Sequence, residues 1–317
     1  MSMKDFIKVL ELHFSNKCTG RCRICSKLHG GDNPPFVTEE VIETIIKNLE
    51  PGPDQIKTKV IQTGGDGDSF LNPLYLPSLQ EIKKRVPNAY TCLYSNFSLV
   101  LPYITDTIIR ENLLDEIHVR IDSLDPEIYH WSTGLRLERT LNNIRYFMKK
   151  NRRIKFGIIY FPLYKYEEVC GKILNKYPLY FDHEIETFRY KLKDEESKVR
   201  HFFGSLDGRV EFMRSGICLW GEREFCEVPK NPVPCTRLPE NDGAFENLLL
   251  IYPNGKCGMC AYSDDQDTFI LGNVLEEKLK DIWNSDKRQK FITRIRNNEF
   301  VGRYPCVNPA ACYFYNV

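Results

Sequence analysis

Cys18, Cys22 and Cys25 stand in the segment HFSNKCTGRCRICSK with the spacing C-x3-C-x2-C, and no fourth cysteine follows nearby. A [4Fe–4S] cluster normally takes four thiolate ligands, so three cysteines leave one iron open to a ligand from outside the protein. A structural zinc site would instead complete its tetrahedron with paired cysteines or histidines, and His13 and His29 do not have the usual spacings. The three cysteines therefore favour a reactive iron–sulfur centre over a zinc knuckle.

Seven further cysteines form a second group in the last third of the chain. They are Cys218, Cys226, Cys235, Cys257, Cys260, Cys306 and Cys312. A buried free cysteine is common enough to explain one or two of them, but their density favours metal ligation. We expect no disulfide framework, because the sequence shows no export signal. A zinc ribbon built from Cys257, Cys260 and the terminal pair is one alternative.

The elements that must position these cysteines follow from the apolar pattern. From residue 6 to about residue 188, β-type runs alternate with amphipathic helical windows, which indicates an α/β fold. The predicted strands are Ile7–His13, Lys59–Thr63, Tyr90–Ser95, Glu116–Ile121, Lys155–Tyr160 and Leu179–Thr187. Residues 189–216 are charged and read as a surface linker or an exposed helix. Parallel strands with helical crossovers form an open sheet or a barrel, and periodicity alone does not choose between them.

Around Cys257 and Cys260, the segment NLLLIYPNGKCGMCAYS predicts a β-hairpin that turns at Asn254-Gly255. A Gly-Asn turn and an amphipathic helix follow in ILGNVLEEKLKDIWNSDKRQKFITRIR. We therefore predict two domains, a core over residues 1–200 and a small cysteine-containing domain over residues 201–317.

The cysteine spacing resembles the radical SAM superfamily, whose signature is C-x3-C-x-Φ-C with an apolar residue at Φ, here Ile24. The resemblance implies a partial (βα)6 TIM-like barrel with its chemistry in the loops after the strands. It also implies that S-adenosylmethionine (AdoMet) binds the open iron, with Ile24 against the adenine. Reductive cleavage of AdoMet then gives a 5′-deoxyadenosyl radical that takes a hydrogen atom from a substrate C–H bond.

The segment TGGDGDSFLNP resembles the family's G-x-G-E-P-(L)-(L)-N-P segment, which holds the ammonium of the methionine moiety. Aligning the shared Leu-Asn-Pro places Gly67 and Asp68 on the family's Gly-Glu. A second register uses Gly64, Gly65 and Asp66 instead. In either register the acidic residue is one methylene shorter than the family's glutamate.

Three weaker matches follow later strands. Ser95-Asn96 occupies the place of the family's Thr-Asn-Gly, with Phe97 where glycine is common. Asp122 and Ser123 match a Ser/Asp-containing segment that meets the ribose and carboxylate of AdoMet. Gly157 is compatible with the close backbone approach to adenine in the family. Polar residues at strand ends also often cap the next helix, and a strand glycine has many uses.

The C-terminal pattern resembles the SPASM/Twitch extension of radical SAM enzymes, in which a hairpin with G-x4-C precedes a Gly-Asn turn, a helix and terminal cysteines. Gly255 and Cys260 have that spacing. The short terminal array implies one auxiliary [4Fe–4S] cluster. The ligands that we predict for it are Cys235, Cys260, Cys306 and Cys312. Cys257 is not assigned to this cluster. We predict that it returns a hydrogen atom to the substrate in an epimerisation, with cluster ligation or packing as a buried apolar residue as alternatives.

The resemblance thus implies an oxidoreductase or epimerase acting on a sugar, cyclitol or other small metabolite. A peptide-modifying maturase is the alternative, but we expect no leader-peptide-binding domain before the first strand. A non-catalytic iron–sulfur electron carrier or a zinc-binding interaction module is the alternative from another class. A carrier needs neither an open iron nor a barrel that encloses a substrate.

The charge and hydropathy of the chain limit the kinds of partner that we expect it to bind. Lys and Arg total 44 against 43 Asp and Glu, a net charge of +1, which provides no general field for nucleic acid or an anionic membrane. No apolar run approaches membrane-spanning length. We therefore expect a cytoplasmic protein that binds neither nucleic acid nor membranes and takes electrons from a donor such as flavodoxin or ferredoxin.

Overall fold

The structure is a computed structural model that describes residues 6–22, 35–49, 52, 55–65, 67–161, 184–206, 208–214, 248–259, 270–297 and 299. Among these residues, no helix combines the length and the apolar character needed to cross a membrane.

Six parallel strands form the core of the sheet, and each pairs with the next along the chain. They are β1 Phe6–Leu12, β2 Lys57–Thr63, β3 Tyr90–Ser95, β4 Glu116–Arg120, β5 Lys155–Tyr160 and β6 Val210–Arg214. This order, with a helical crossover between strands, confirms the α/β fold class with a partial TIM-like barrel.

The crossover helices follow the predicted apolar stripes. They are α1 Glu39–Leu49, α2 Tyr75–Arg85, α3 Pro102–Glu111, α4 Pro126–Thr133, α5 Leu137–Lys150 and α6 Glu184–Leu206. At the start of α1, the Thr38 hydroxyl accepts a hydrogen bond from Val41 N at 3.4 Å, as expected of an N-cap. In α5 the predicted stripe from Leu137 to Phe147 is buried.

The sixth predicted strand is wrong where the structure describes it. Residues 184–187 begin α6, and the sixth strand is β6, within the segment predicted as a linker or exposed helix. The α6 sequence is rich in Glu, Lys and Arg, which are good helix formers. β6 is short and its apolar side chains, Val210 and Phe212, gain their burial only by joining β5 and the core. The division at residue 200 stays a prediction.

Beyond the core, three strands extend the sheet from β1. β7 Leu248–Ile251 pairs with β1 in parallel, and β8 Lys256–Gly258 and β9 Ile270–Asn273 continue antiparallel. The turn between β7 and β8 is the predicted hairpin, in which Gly255 has a φ of +79° and its N–H donates to Tyr252 O at 2.9 Å. Helices α7 Leu279–Asn284 and α8 Asp286–Arg296 follow.

The two faces of the core sheet differ in polarity. Leu10, Leu93, Ile117 and Val119 pack with helix side chains in one large apolar cluster. Because successive strand residues point to opposite faces, their neighbours on the strands face the barrel interior. Those neighbours include the buried Glu11, Cys92 and His118, the partly exposed Glu116, and Gln62 beside Glu11 in the register. The interior therefore offers polar groups in a surrounding that largely excludes water.

Candidate active site

The loop that carries the first two predicted cluster ligands follows β1. Cys18 is exposed and Cys22 is partly exposed. Cys18 Sγ accepts hydrogen bonds from Gly20 N at 3.3 Å and from Asn96 Nδ2 at 3.4 Å. N–H donors aimed at a sulfur favour the thiolate, which is the form that binds iron. Cys25 and Ile24 lie outside the described residues.

The C-terminal end of α4 braces this loop. Arg21 N donates to Thr133 O at 2.7 Å. Gly134 ends the helix with a φ of +70°, and a Cβ there would lie 3.3 Å from Arg21 Cβ. The backbone of the cysteine loop is thus fixed by a helix that comes from a distant part of the sequence.

Gly67 lies directly against the same loop. A Cβ at Gly67 would overlap the backbone oxygens of Ser15 and Lys17, so only glycine fits. The next residue, Asp68, donates its N–H to Lys17 O at 2.8 Å. Gly67 and Asp68 therefore lie against the cysteine loop, and the choice of register stays a prediction. Gly64 and Gly65 also have positive φ, as is typical of glycines in a turn. Asp66 lies outside the described residues.

The carboxylate of Asp68 is fully buried and joins three elements. Its Oδ1 accepts from Phe70 N at 3.2 Å, which caps a short 3-10 helix over Ser69–Leu71, and from Ser95 Oγ at 3.3 Å. Its Oδ2 accepts from Thr19 Oγ1 at 3.5 Å, in the cysteine loop. Burial raises the pKa of Asp68 although these hydrogen bonds oppose the shift. Its contact with the AdoMet ammonium stays a prediction.

Asn96 binds the cysteine loop from the end of β3. Besides Cys18 Sγ, its Nδ2 lies 3.2 Å from Thr19 Oγ1, and its Oδ1 accepts from Ser98 N at 2.9 Å. Thr19 and Ser98 in turn share a hydrogen bond of 2.9 Å. Sequence reasoning found Asn96 but missed Thr19 and Ser98. The signal for them in the sequence is that Thr19 follows Cys18 and Ser98 lies two residues after Asn96.

Phe97 adopts the left-handed conformation that glycine favours, with a φ of 60°. This costs a non-glycine residue about 1–2 kcal/mol. The ring is fully buried, with edge-to-face contacts to Phe70, Phe147 and Phe156. Burying a phenylalanine is worth about 1.5–3 kcal/mol, which offsets the strain and explains how this chain departs from the glycine common in the family.

Asp122 and Ser123 follow β4, and both are fully buried with protein partners. Asp122 accepts a bidentate pair from Arg120, with Nε–Oδ1 at 2.8 Å and Nη2–Oδ2 at 2.5 Å. The Ser123 hydroxyl donates to Glu195 Oε2 at 2.5 Å, which fixes α6 against this loop. Leu124 N donates to the same oxygen at 2.9 Å. Their contacts with AdoMet stay predictions, and nothing in the sequence pointed to Glu195.

Gly157 has a structural reason that the sequence did not reveal. A Cβ there would lie 2.6 Å from Nδ1 and 3.2 Å from Cε1 of His118 on the neighbouring strand. The glycine makes room for this imidazole in the barrel interior. An approach to adenine stays a prediction.

Cys257 is fully buried on β8 and belongs to the apolar cluster that also contains Leu271 and Ile282. Its Sγ lies 3.8 Å from Gly255 O. Burial raises the pKa of this thiol, so it is protonated at neutral pH. These surroundings favour the apolar-filling alternative over a hydrogen-atom donor. The predicted auxiliary ligands Cys235, Cys260, Cys306 and Cys312 lie outside the described residues.

A buried pair of ionisable groups precedes the cysteine loop on the interior side of β1. Glu11 Oε1 lies 2.8 Å from His13 Nε2, and the two residues are 1% and 2% exposed. The His13 ring meets Tyr252 edge to face at 5.3 Å. Gln62 is beside Glu11 in the strand register. The signal for this pair was a glutamate inside the apolar run FIKVLELHF, which sequence reasoning did not connect to a site.

The described donors fit an iron–sulfur cluster. Cys18 and Cys22 offer accessible sulfurs at the C-terminal end of a barrel strand, where Asn96 and a backbone N–H point at one of them. Fold and site together define an iron–sulfur enzyme of the AdoMet-dependent barrel class. The radical SAM superfamily model matches residues 12–171, and the SPASM model, an iron–sulfur cluster-binding domain, matches residues 244–312. The chain belongs to the radical SAM superfamily, whose members are enzymes, and it carries a C-terminal SPASM domain.

Several proteins are similar over most of the chain. The "Tungsten-containing aldehyde ferredoxin oxidoreductase cofactor-modifying protein" of Pyrococcus furiosus is 21% identical over 97% of this chain and 89% of its own length. The crystal structure of BtrN with AdoMet and 2-DOIA has a TM-score of 0.53 and 12% identity, covering 98% of this chain and 94% of BtrN. The crystal structure of anSMEcpe with bound AdoMet has a TM-score of 0.58 and 16% identity, covering 90% of this chain and 83% of anSMEcpe. The two structures support the fold.

A [4Fe–4S] cluster and AdoMet are the cofactors of the barrel, and the SPASM domain implies auxiliary iron–sulfur binding. The number of auxiliary clusters and their ligands stay predictions.

Proposed function

We propose that the protein dehydrogenates a small, hydroxyl-rich metabolite such as a sugar or cyclitol. The observation that carries the proposal is the buried Glu11–His13 pair on the interior face of β1, next to the cysteine loop. A carboxylate and an imidazole that share a hydrogen bond can bind a hydroxyl group and accept its proton.

Oxidation of a CH–OH group to C=O removes a hydrogen atom, a proton and an electron. When bound, AdoMet and an auxiliary iron–sulfur cluster would supply the acceptors for the hydrogen atom and for the electron. The protein's own residues must therefore take the proton, and the Glu11–His13 pair is the group that we assign to this role. Gln62, beside Glu11 in the register, would hold a second hydroxyl.

The surroundings of Cys257 support dehydrogenation over epimerisation. Return of a hydrogen atom needs a thiol in contact with the substrate. Cys257 is the register partner of Ile251, which in turn pairs with Leu12, so its thiol lies in the apolar cluster on the sheet face opposite Glu11. Without such a donor, the substrate radical is more readily oxidised than quenched.

The test uses anaerobically reconstituted protein with AdoMet, a chemical reductant and one candidate at a time. The candidates are a panel of cyclitols and sugars, with a cysteine-containing peptide as the comparison. We expect a member of the small-molecule panel to accelerate release of 5′-deoxyadenosine and to lose two hydrogens, as read by mass spectrometry. Acceleration by the peptide alone would contradict the proposal.

The matched variants are His13→Gln and His130→Gln, the second being on α4 with its ring bonded to Leu135 O. Loss of the proton acceptor should lower the rate of product formation by about 10²–10⁴-fold while basal AdoMet cleavage continues. His130→Gln should leave both unchanged. Equal loss in both variants would point to a defect of folding instead of catalysis.

A further inference from the structure

A second group of chemically reactive side chains lies in the barrel interior, away from the cysteine loop. Cys92 on β3 is the register partner of Glu116 on β4, and His118 follows two residues later on the same face. One donor atom of each residue, a sulfur, a carboxylate oxygen and an imidazole nitrogen, lies within 4.8 Å of the other two. The set includes none of the cysteines of the cluster motif.

Two of these side chains are buried, Glu116 is partly exposed with its side chain 19% accessible, and neighbouring residues hold the group in place. Cys92 is 5% and His118 4% exposed. The Tyr90 hydroxyl donates to Glu116 Oε2 at 3.0 Å, and the His118 Nε2 lies 3.1 Å from the other oxygen, Oε1. Tyr94 stacks on the His118 ring at 4.7 Å. Outer hydrogen bonds and stacking of this kind are typical of the groups that orient metal ligands.

One atom of this group has no hydrogen-bond partner among the residues that the structure describes. This atom, His118 Nδ1, is buried. A bound cation would replace the thiol proton and attract both the Cys92 thiolate and the Glu116 carboxylate.

We propose that Cys92, Glu116 and His118 bind one divalent transition metal ion, with zinc the preferred ion. A thiolate, an imidazole and a carboxylate together match the ligands of zinc, whereas calcium and magnesium prefer oxygen alone. Three protein ligands leave a fourth position that faces the barrel interior. This position takes a water molecule or an oxygen of a bound molecule, as in catalytic zinc sites.

The test uses the cluster-loaded protein, so that the cysteines of the iron–sulfur sites are already occupied. After incubation with zinc and dialysis, we expect about one zinc ion per chain in addition to the cluster iron. Cobalt(II) in place of zinc should give a sulfur-to-cobalt charge-transfer band. Cys92→Ser should abolish this band and weaken zinc binding by about 100-fold or more, and His118→Gln should weaken binding similarly. His201→Gln, an exposed histidine on α6, is the matched control and should change nothing.

X-ray absorption at the zinc edge of the wild-type protein keeps the proposal testable should a variant fail to fold. One sulfur with nitrogen and oxygen neighbours is the expected ligand set. A wild-type protein that retains no zinc, a zinc ion with several sulfur neighbours, or a Cys92→Ser variant that keeps the band would each overturn the proposal.

Discussion

Cys18 lies in the loop that follows β1 and Cys257 lies in β8, and the two cysteines have opposite surroundings. Cys18 is exposed and its sulfur accepts two N–H groups, from Gly20 and Asn96. Cys257 is fully buried in the apolar cluster, and burial raises its pKa. The difference teaches that a cysteine in this fold becomes a ligand or a core residue according to the donors around its sulfur. The sequence predicted Cys18 as a cluster ligand and Cys257 as a hydrogen-atom donor, with cluster ligation or apolar filling as alternatives.

The largest difference between the two kinds of cysteine is expected in the iron content of variants of the cysteine loop. Changing Cys18, Cys22 and Cys25 together to Ala should remove about four iron atoms per chain, because the cluster loses all three ligands. Iron analysis of anaerobically reconstituted protein measures it. The matched variant Cys257→Ala should keep all of its iron. Loss of iron from Cys257→Ala would make that residue a ligand and erase the contrast.

The next effect concerns the close packing of the loop. Gly67→Ala should destabilise the protein by about 1–3 kcal/mol, because its Cβ would overlap the backbone oxygens of Ser15 and Lys17. Chemical denaturation measures the free energy of unfolding. Gly208→Ala is the control, since a Cβ there meets nothing within 4 Å. Equal stability of the two variants would show that the loop does not lie against Gly67.

The variant Asp68→Asn tests whether the Asp68 carboxylate binds AdoMet without holding the cluster. The loss of the carboxylate charge should weaken AdoMet binding by about 1.5–3 kcal/mol, the value of a charge-assisted hydrogen bond, while the iron content stays unchanged. Equilibrium dialysis with labelled AdoMet measures the affinity. If Asp66→Asn weakens binding and Asp68→Asn does not, the other register of the glycine segment is correct.

The same variant should not lose stability at neutral pH. The pKa of Asp68 is higher in the folded protein than in the unfolded chain because of burial, so ionisation above the unfolded pKa opposes folding. Removing the charge should therefore raise the free energy of unfolding above that pH, and the gain should vanish in acid. A loss of stability that grows with pH would contradict this sign.

The smallest effect is expected from Cys257→Ala. Loss of the sulfur leaves a small cavity in the core of the hairpin, which should lower the free energy of unfolding by about 1 kcal/mol. AdoMet cleavage and product identity should not change. If Cys257→Ala still binds the clusters and AdoMet but forms a different product, Cys257 is a hydrogen-atom donor after all.

The elements that the sequence predicted are those with a clear local pattern, and the element that it missed depends on tertiary contacts. Strands β1 to β5, the hairpin at Gly255 and the stripe of α5 were predicted from periodicity and turn chemistry. β6 was missed, because five residues after a charged helix carry little signal until β5 supplies the pairing.

The site divides in the same way. Cys18, Gly67, Asp68 and Asn96 belong to motifs and were predicted from them. The Glu11–His13 pair and the anchor Glu195 were not, since their roles depend on burial and on contacts across the fold.

The most direct test of the assignment to AdoMet chemistry needs no substrate. Anaerobically reconstituted protein with AdoMet and a reductant should release 5′-deoxyadenosine slowly, as measured by liquid chromatography. The variant in which Cys18, Cys22 and Cys25 are changed to Ala should release none. A wild-type protein that carries its full iron and reduces normally, yet releases no 5′-deoxyadenosine, would contradict the account.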